Sequence, residues 1–264
     1  MAPIAANLQA VLTRLERAAR AAGRSPAQIT LIAASKTFPA EHIAQAHAAG
    51  QRAFGENYAQ EAVEKITKLA HLHLEWRVAQ AQQRNQIDRS DALDLSAGVA
   101  SPEGPLLLPL EWHFIGPIQS NKTALIAKHF QWVHSVERGK IAQRLNAARP
   151  EELPPLDVCI QVNVSGEGSK SGVEPGEEAP LADAIARLPR LRLRGLMAIP
   201  EPTADTALQR RRCALLRELK ERLAARGHAL DTLSMGMSDD LEAAIAEGAT
   251  MVRVGTAIFG KRGK

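Results

Sequence analysis

The chain has 264 residues, of which 45% are hydrophobic and 23% charged, so it can bury a full core in one or two domains. Its formal net charge is +4, but aromatic residues make up only 3%, so the basic clusters 210–212 and 261–264 are not expected to bind nucleic acid. No apolar stretch reaches the roughly 18 residues that a membrane span needs, so no membrane-spanning helix is predicted.

Strand-like and helix-like patterns alternate along the chain. An apolar stripe at helical spacing predicts an extra N-terminal helix before the first strand, with the stripe formed by Ile4, Leu8, Val11, Leu12 and Leu15. Eight strands are predicted at 29–36, 52–56, 112–115, 132–136, 156–164, 191–199, 232–235 and 251–254. Helices are predicted at 40–48, 58–69, 120–129 with Ser120 as N-cap, from 138 onwards, 178–188, 205–226 and 239–247.

Eight strand-then-helix units without a second run of strands predict one α/β domain, a single (β/α)8 TIM barrel over residues 1–264. A doubly wound open sheet is the competing architecture, but the glycine-rich first turn typical of it is missing. One stretch does not fit the alternation, since Leu74-Glu75-Trp76 is echoed by Leu110-Glu111-Trp112 after an unusually long connection. We interpret 77–110 as an inserted surface loop, either a lid or, as we favour, a functionally silent excursion.

The first strand ends on a lysine, Lys36. Strand alternation puts Ile32, Ala34 and Lys36 on one side, and the chemistry of such barrels lies at the C-terminal ends of their strands. Burial of an unpaired ammonium lowers its pKa and makes the amine a nucleophile, which is how a Schiff-base lysine is made. On this segment alone, a lysine that extends into solvent is the alternative.

Two glycine-containing turns follow the seventh and eighth strands. Gly236 allows close backbone approach, and Ser238 is predicted to cap the next helix; Gly255 and Thr256 form the second turn. Loops after these two strands commonly hold phosphate in barrels, so the pair predicts an anion site. The two aspartates after Ser238 argue mildly against it, because they already stabilise the helix terminus.

Other polar residues on strands are candidates for the same mouth. Alternation separates Arg253 from its valine neighbours, so it points either into the barrel, where it would suit an acceptor such as a pyridine nitrogen, or outward to a helix. Four further residues are polar rim residues or structural hydrogen-bonding groups: Asn57, His113, Gln161 and Asn163. His71 and His73 have no supporting carboxylate or cysteine cluster, so no metal site is assigned.

The two cysteines, Cys159 and Cys213, lie far apart and form no metal-ligand spacing. Cys159 stands in an apolar run and is predicted to be a small buried hydrophobic residue. With no disulfide framework indicated, a reducing compartment and hence a cytoplasmic location are expected.

Six stretches of sequence together resemble the YggS/PROSC family, the pyridoxal-phosphate homeostasis proteins. They are Ser35–Thr37, Phe54–Tyr58, His113–Lys122, Gly195–Pro200, Met235–Asp240 and Val254–Gly260. The resemblance runs through nearly the whole chain. It implies a barrel like the N-terminal domain of bacterial alanine racemase, with pyridoxal 5'-phosphate held as an aldimine on Lys36. The implied cofactor contacts are Ser238, Gly255 and Thr256 to the phosphate, backbone of Gly236 and Met237 nearby, Arg253 facing the pyridine nitrogen, and Asn57 lining the ring pocket.

The resemblance also implies a carrier of pyridoxal phosphate that acts in vitamin B6 homeostasis, without robust turnover and without catalytic residues. An arginine at the ring nitrogen disfavours its protonation, and racemases of this type take one base from a second, β-rich domain for which this chain is expected to have no room. A racemase-like enzyme with Lys36 as base is the alternative, and a cofactor-free class I aldolase is a third reading. The expected partners are free pyridoxal phosphate and, as candidate recipients, apo-enzymes that use it; a monomer is expected.

Overall fold

The computed structural model describes residues 3–70, 109–166 and 171–260. The predicted barrel is confirmed: eight parallel strands close in sequence order, each pairing with the next and the last with the first. The strands are β1 (Thr30–Ala34), β2 (Ala53–Glu56), β3 (Glu111–Phe114), β4 (Trp132–Val136), β5 (Leu156–Gln161), β6 (Leu191–Met197), β7 (Thr232–Ser234) and β8 (Met251–Val254).

The helices surround this barrel. They are α1 (Ile4–Ala21), α2 (Ala40–Ala48), α3 (residues 59–70), α4 (Thr123–His129), α5 (Gly139–Ala148), α6 (Glu178–Ile185), α7 (Thr206–Ala225), α8 (Leu241–Ala246) and α9 (Thr256–Phe259). The extra helix α1 buries its predicted apolar stripe against α8 and α9. Arg14 of α1 forms a bidentate ion pair with Glu242 of α8, at 2.5 and 2.7 Å, and so ties the added helix to the end of the chain.

Strand alternation divides the core into two layers. Outward-facing residues such as Leu31 and Ala33 pack under the helices, while inward-facing residues fill the barrel centre. The inner cluster consists of Ile32, Ala53, Trp132, Cys159, Met197 and Met251. Cys159 is fully buried, as predicted, and burial raises the pKa of its thiol. The barrel centre is therefore a packed core and not a pore.

Several predicted boundaries are wrong. β1 ends at Ala34, so Lys36 lies in the following turn, and β5 and β6 end at Gln161 and Met197, short of the predicted limits. After β5 the chain folds back, and Val162 pairs with Val173 instead of continuing the strand. Ser120 is not an N-cap: it lies in a short 3₁₀ turn and α4 begins only at Thr123.

The basic cluster 210–212 is paired with carboxylates. Arg210 contacts Glu247 at 2.7 Å, Arg212 contacts Glu201 at 3.1 Å, and Arg211 lies 3.9 Å from Asp205. These contacts give the cluster a structural role on α7. Both cysteines are free and buried.

Some predictions lie wholly or almost wholly outside the described residues. These are the insertion at about 77–110, of which only 109 and 110 are described, the two histidines at 71 and 73, and the basic tail 261–264. Among the helices of the described ranges, none combines the length and the apolar character needed to cross a membrane. In the same ranges, no group of three or more His, Cys, Asp or Glu side chains could hold a metal ion.

Candidate functional site at the barrel mouth

A cavity of about 530 Å³ opens at the C-terminal ends of the strands. Of the eight residues predicted for the site, seven line it: Lys36, Asn57, Met237, Ser238, Arg253, Gly255 and Thr256. Gly236 does not. Five apolar residues also line it, Ala34, Phe38, Ile115, Ile199 and Ala257, as does one carboxylate that the sequence did not assign to the mouth, Asp239.

Lys36 lies in the turn that follows β1. Ala34 and Lys36 line the same cavity, as the alternation predicted, and the Lys36 side chain is half-buried. The next residue, Thr37, has a positive φ of 68°, a left-handed conformation that is uncommon for a residue other than glycine. Such a conformation persists only where surrounding contacts hold it, so the turn that carries Lys36 must be fixed from outside.

Three charged residues on neighbouring elements fix this turn, and we call them the lysine-turn clamp: Glu56, Glu61 and Lys65. Lys65 Nζ donates to the Ser35 carbonyl at 3.0 Å and to Glu56 Oε1 at 2.9 Å, and lies 2.5 Å from Glu61 Oε1. Glu56 also accepts from the Ser35 hydroxyl at 2.6 Å, and Glu61 accepts from the Thr37 amide at 2.7 Å.

The clamp is largely buried, since Glu56 is fully inaccessible and Lys65 is 7% exposed. Burial raises the pKa of Glu56, although Lys65 and the Ser35 hydroxyl oppose this shift. The clamp was not predicted from the sequence. Its one local signal is the spacing of Glu61 and Lys65, four residues apart on α3, which puts them on the same helix face.

Arg253 points into the barrel, so the outward alternative is wrong. Its side chain is 4% exposed, and its Nη1 donates to the carbonyl and hydroxyl oxygens of Ser234 at 2.8 and 2.5 Å. Nη2 donates to the Ala198 carbonyl at 2.8 Å. Burial lowers the pKa of Arg253 to about 10, so it stays a cation at neutral pH. Within the described ranges no carboxylate pairs with it, which leaves a buried positive charge at the cavity wall.

The turn after β7 differs from its predicted role. Gly236 has a φ of +95°, and a Cβ there would lie 2.6 Å from Ala244 Cβ, so glycine is required for packing of α8. The Met237 amide donates to Asp240 Oδ1 at 2.6 Å and is therefore already occupied. Ser238 is not an N-cap, because α8 begins at Leu241 and the Asp240 side chain bonds instead to the turn.

The turn after β8 has backbone amides that are available to a ligand. The hydrogen bonds of the described chain assign no acceptor to the amides of Gly255, Thr256 and Ala257, the first three at the start of α9. A Cβ at Gly255 would lie 2.9 Å from the Ala34 carbonyl oxygen, so glycine lets the end of β8 approach β1. Ser238 and Thr256, whose side chains carry hydroxyls, line the same cavity, and together with these amides they suit an anion.

Asn57 contributes an unsatisfied acceptor. Its Oδ1 is buried without a hydrogen-bond partner in the described residues, although the side chain lines the cavity. A buried acceptor without a donor costs about 1–3 kcal/mol, so this atom points to a donor on a ligand. The two other amides singled out in the sequence serve the chain itself: Gln161 Nε2 donates to the Ser171 carbonyl and Asn163 Nδ2 to Glu174.

Two histidines, His113 and His134, lie in the barrel interior behind Arg253, and only His113 was a candidate from the sequence. His113 Nδ1 and His134 Nε2 are 2.9 Å apart, and His134 Nδ1 lies 2.8 Å from Ser234 Oγ. Both rings are fully inaccessible. Burial lowers the pKa of His134 well below 6.5, and the nearby His113 and Arg253 lower it further.

This pKa predicts a pH dependence of stability. His134 is neutral in the folded chain but regains an ordinary pKa near 6.5 when unfolded, so the unfolded state binds one more proton below that pH. The stability contributed by neutral His134 is fully present above pH 6.5. Below that value we expect the free energy of unfolding to fall by up to about 1.4 kcal/mol per pH unit. Urea denaturation between pH 5 and 7.5 would measure this slope, which His134→Asn should reduce; equal slopes in both proteins would contradict it.

Comparisons with known proteins agree with the barrel. A family model described as alanine racemase, N-terminal domain, matches residues 6–263. A Pseudomonas aeruginosa protein named pyridoxal phosphate homeostasis protein is 55% identical over 262 residues, which cover 99% of this chain and 97% of that protein. The Escherichia coli K12 protein of the same name is 50% identical, covering 99% and 98%. The structure of PipY from Synechococcus elongatus with PLP bound superposes with a TM-score of 0.70, at 32% identity, covering 93% of this chain and 99% of PipY.

Proposed function

Because the chain belongs to the alanine racemase N-terminal domain family and, within it, to the pyridoxal phosphate homeostasis proteins, we propose that it binds pyridoxal 5'-phosphate at the barrel mouth. In this proposal it holds the cofactor for the cytoplasmic vitamin B6 pool without robust catalytic turnover. One observation carries this proposal. A lysine after β1 lines the same cavity as a buried arginine on β8 that has no carboxylate partner in the described ranges.

The residues of the cavity match the chemical groups of this cofactor. Arg253 offers a cationic donor to the ring nitrogen, and the apolar walls suit the faces of the ring. The hydroxyls of Ser238 and Thr256, with the free amides that begin α9, suit the phosphate. Asn57 lines the part of the cavity proposed for the ring, and its unpartnered Oδ1 would accept a hydrogen bond from a donor on the cofactor. Gly236 and the Met237 amide are left out of this assignment, since packing and Asp240 already occupy them.

Lys36 is the proposed point of attachment. Its Nζ would bond to the aldehyde carbon, and the carbonyl oxygen would leave as water. The lysine-turn clamp holds the backbone on both sides of Lys36 through Ser35 and Thr37, so the amine is presented from a fixed turn. A fixed turn lowers the entropy that must be lost when the covalent bond forms.

The same cavity argues against efficient turnover. When bound, pyridoxal phosphate supplies an electron sink that works best with a protonated ring nitrogen. Arg253 stays charged and can only donate, so it disfavours a proton on that nitrogen. Racemisation also needs proton transfer on two faces of the substrate, and in the described part of the cavity wall the ionisable groups are Lys36, Asp239 and Arg253, with no imidazole, thiol or phenol among them. The one tyrosine, Tyr58, is 55% exposed and does not line the cavity as described.

Proton exchange separates a carrier from a racemase. We expect the protein loaded with pyridoxal phosphate to show little exchange of the α-proton of L-alanine in deuterated water, and no inversion to the D isomer, because the described cavity wall offers no imidazole, thiol or phenol as a second base. Proton NMR and chiral chromatography would measure both. An authentic alanine racemase serves as positive control. Rapid exchange with inversion would replace the carrier proposal by the racemase-like alternative, with Lys36 as base.

A further inference from the structure

A line of hydrogen-bonded side chains, the interior chain, crosses the barrel behind the cavity: Arg253, Ser234, His134 and His113. Arg253 Nη1 lies 2.5 Å from Ser234 Oγ, which lies 2.8 Å from His134 Nδ1, and His134 Nε2 lies 2.9 Å from His113 Nδ1. All four side chains are between 0 and 4% exposed. At the far end, His113 Nε2 makes no hydrogen bond within the described residues and lies 3.7 Å from Glu111 Oε2.

The two ends of the interior chain determine its direction. A guanidinium has only donors, so Arg253 must donate to Ser234 Oγ. Glu111 is an acceptor at the other end: its pKa is lowered, mainly by its contact with His113, so its carboxylate is ionised at neutral pH. Of the two arrangements open to a neutral imidazole pair, one puts the Nε2 proton of His113 towards this carboxylate, and the other puts a bare lone pair there.

The favoured arrangement assigns every proton. His113 carries its proton on Nε2, its Nδ1 accepts from the Nε2 proton of His134, and His134 Nδ1 accepts from the Ser234 hydroxyl. The lone pairs of Ser234 Oγ then face Arg253. In the reverse arrangement, His134 would donate to Ser234, and the hydroxyl proton would be free to point elsewhere.

We propose that His134 and His113 are positioning residues that fix the Ser234 hydroxyl as an acceptor and thereby orient the Arg253 guanidinium towards an acceptor atom of the ligand in the cavity. The proposal rests on the proposed function in so far as that atom is the ring nitrogen of pyridoxal phosphate. Neither histidine touches the cavity.

The interior chain orients Arg253 but does not deliver a proton to the cavity. A proton relay would need Arg253 to release its own proton, and its charged form persists at neutral pH. Two further groups lie near the far end of the interior chain. The Trp132 ring lies nearly parallel to His113, with centroids 5.7 Å apart, and its Nε1 donates to Glu111 at 2.7 Å. Arg194, whose guanidinium carbon lies 4.8 Å from the centroid of the Trp132 ring, adds positive charge that helps to keep Glu111 ionised.

Packing alone does not account for two histidines at this place. Barrel interiors are filled mainly by branched apolar side chains, and a buried polar chain is no better for stability than well-packed apolar residues of similar volume. The polar chain ends on the one buried cation of the described cavity wall. This connection is the reason to assign the histidines to the site.

The tautomers can be measured without any ligand. In the ¹⁵N-histidine-labelled full chain at pH 7, we expect NMR to show both His113 and His134 as neutral rings with the proton on Nε2, identified by His113→Gln and His134→Asn variants. A proton on Nδ1 of either ring, or a charged ring, would overturn the proposal. This arm decides the direction of the interior chain even if the protein binds no pyridoxal phosphate, an outcome that would remove the proposed function alone.

The effect on Arg253 is tested by a matched pair of variants and two ligands. His134→Asn keeps an acceptor near the position of Nδ1, whereas His134→Gln keeps only a group near Nε2. For pyridoxal 5'-phosphate we expect the dissociation constant to rise about tenfold in His134→Gln and by less than about twofold in His134→Asn, the scale of one hydrogen bond. For the analogue with C–H in place of the ring nitrogen, the two variants should bind alike.

Two further results would contradict the positioning role. One is an equal loss of affinity for both ligands in His134→Gln, because that pattern indicates general damage to the fold. The other is an undiminished effect of His134→Gln in an Arg253→Met background, since a residue that acts through Arg253 has nothing to act on there. Circular dichroism of each variant establishes that the comparison is between folded proteins.

Discussion

Lys36→Ala is expected to yield a folded protein that stays colourless in pyridoxal 5'-phosphate, while the native protein turns yellow. Alanine removes the amine that we propose as the point of attachment but leaves the half-buried turn and its clamp in place. After borohydride reduction, mass spectrometry of the native protein should find one pyridoxyl group, on the peptide that contains Lys36. The same treatment of Lys36→Ala should leave that peptide unmodified and should remove the visible absorption, because no covalent bond to the amine can form.

The matched control is Lys128→Ala. Lys128 is exposed on α4, away from the cavity wall, so its loss should leave both the colour and the modified peptide unchanged. A thermal denaturation curve for each variant shows whether the fold is retained. If Lys36→Ala keeps full absorption, or if the pyridoxyl group in the native protein is found on a different lysine, the covalent part of the proposed function is wrong.

Lys65→Met is expected to be the most destabilising single change in the site region, at about 3–5 kcal/mol at pH 7. Methionine fills the volume but leaves the inaccessible Glu56 carboxylate without its cation and the Ser35 carbonyl without its donor. The turn that carries Lys36 also loses an anchor, so the affinity for pyridoxal phosphate should fall as well. Urea denaturation measures the first effect and an absorbance titration the second.

The pH dependence of this loss has a definite sign. Burial raises the folded-state pKa of Glu56, so the contribution of Glu56 to stability is most favourable at low pH and is lost as pH rises through that pKa. Without Lys65 the cost of the ionised carboxylate increases, and the deficit of Lys65→Met should therefore shrink as pH is lowered from 7 towards 5.

The double variant Lys65→Met/Glu56→Gln provides the control for this mechanism. Replacing both charges removes the unpaired carboxylate, so much of the lost stability should return, as expected when a whole buried pair is substituted. Glu61→Gln, which changes a more exposed member of the clamp, should cost less than Lys65→Met. A double variant no more stable than Lys65→Met would show that the loss comes from packing rather than from the unpaired charge.

The sequence by itself determined the barrel and much of its mouth. The alternation of eight strands and helices predicted the barrel, because units that cross over in one hand keep all their helices on one face when each strand pairs with the next. The period of two in a strand predicted the shared side of Ala34 and Lys36, and it separated Arg253 from its valine neighbours but left its inward or outward direction open. These features are local: they depend on the residue itself and its neighbours along the chain.

Partners were decided only by the tertiary structure. The Met237 amide, predicted to lie near a phosphate, donates to Asp240, and Ser238 does not cap α8. Several chemically similar groups lie in this turn, and the folded conformation decides which of them pair. His134 and Ser234, hydrogen-bonded in the barrel interior, are 100 residues apart in the sequence. Alternation says which face of a strand a side chain occupies, but which residue it meets depends on strand register and barrel closure. Both are properties of the whole assembled sheet.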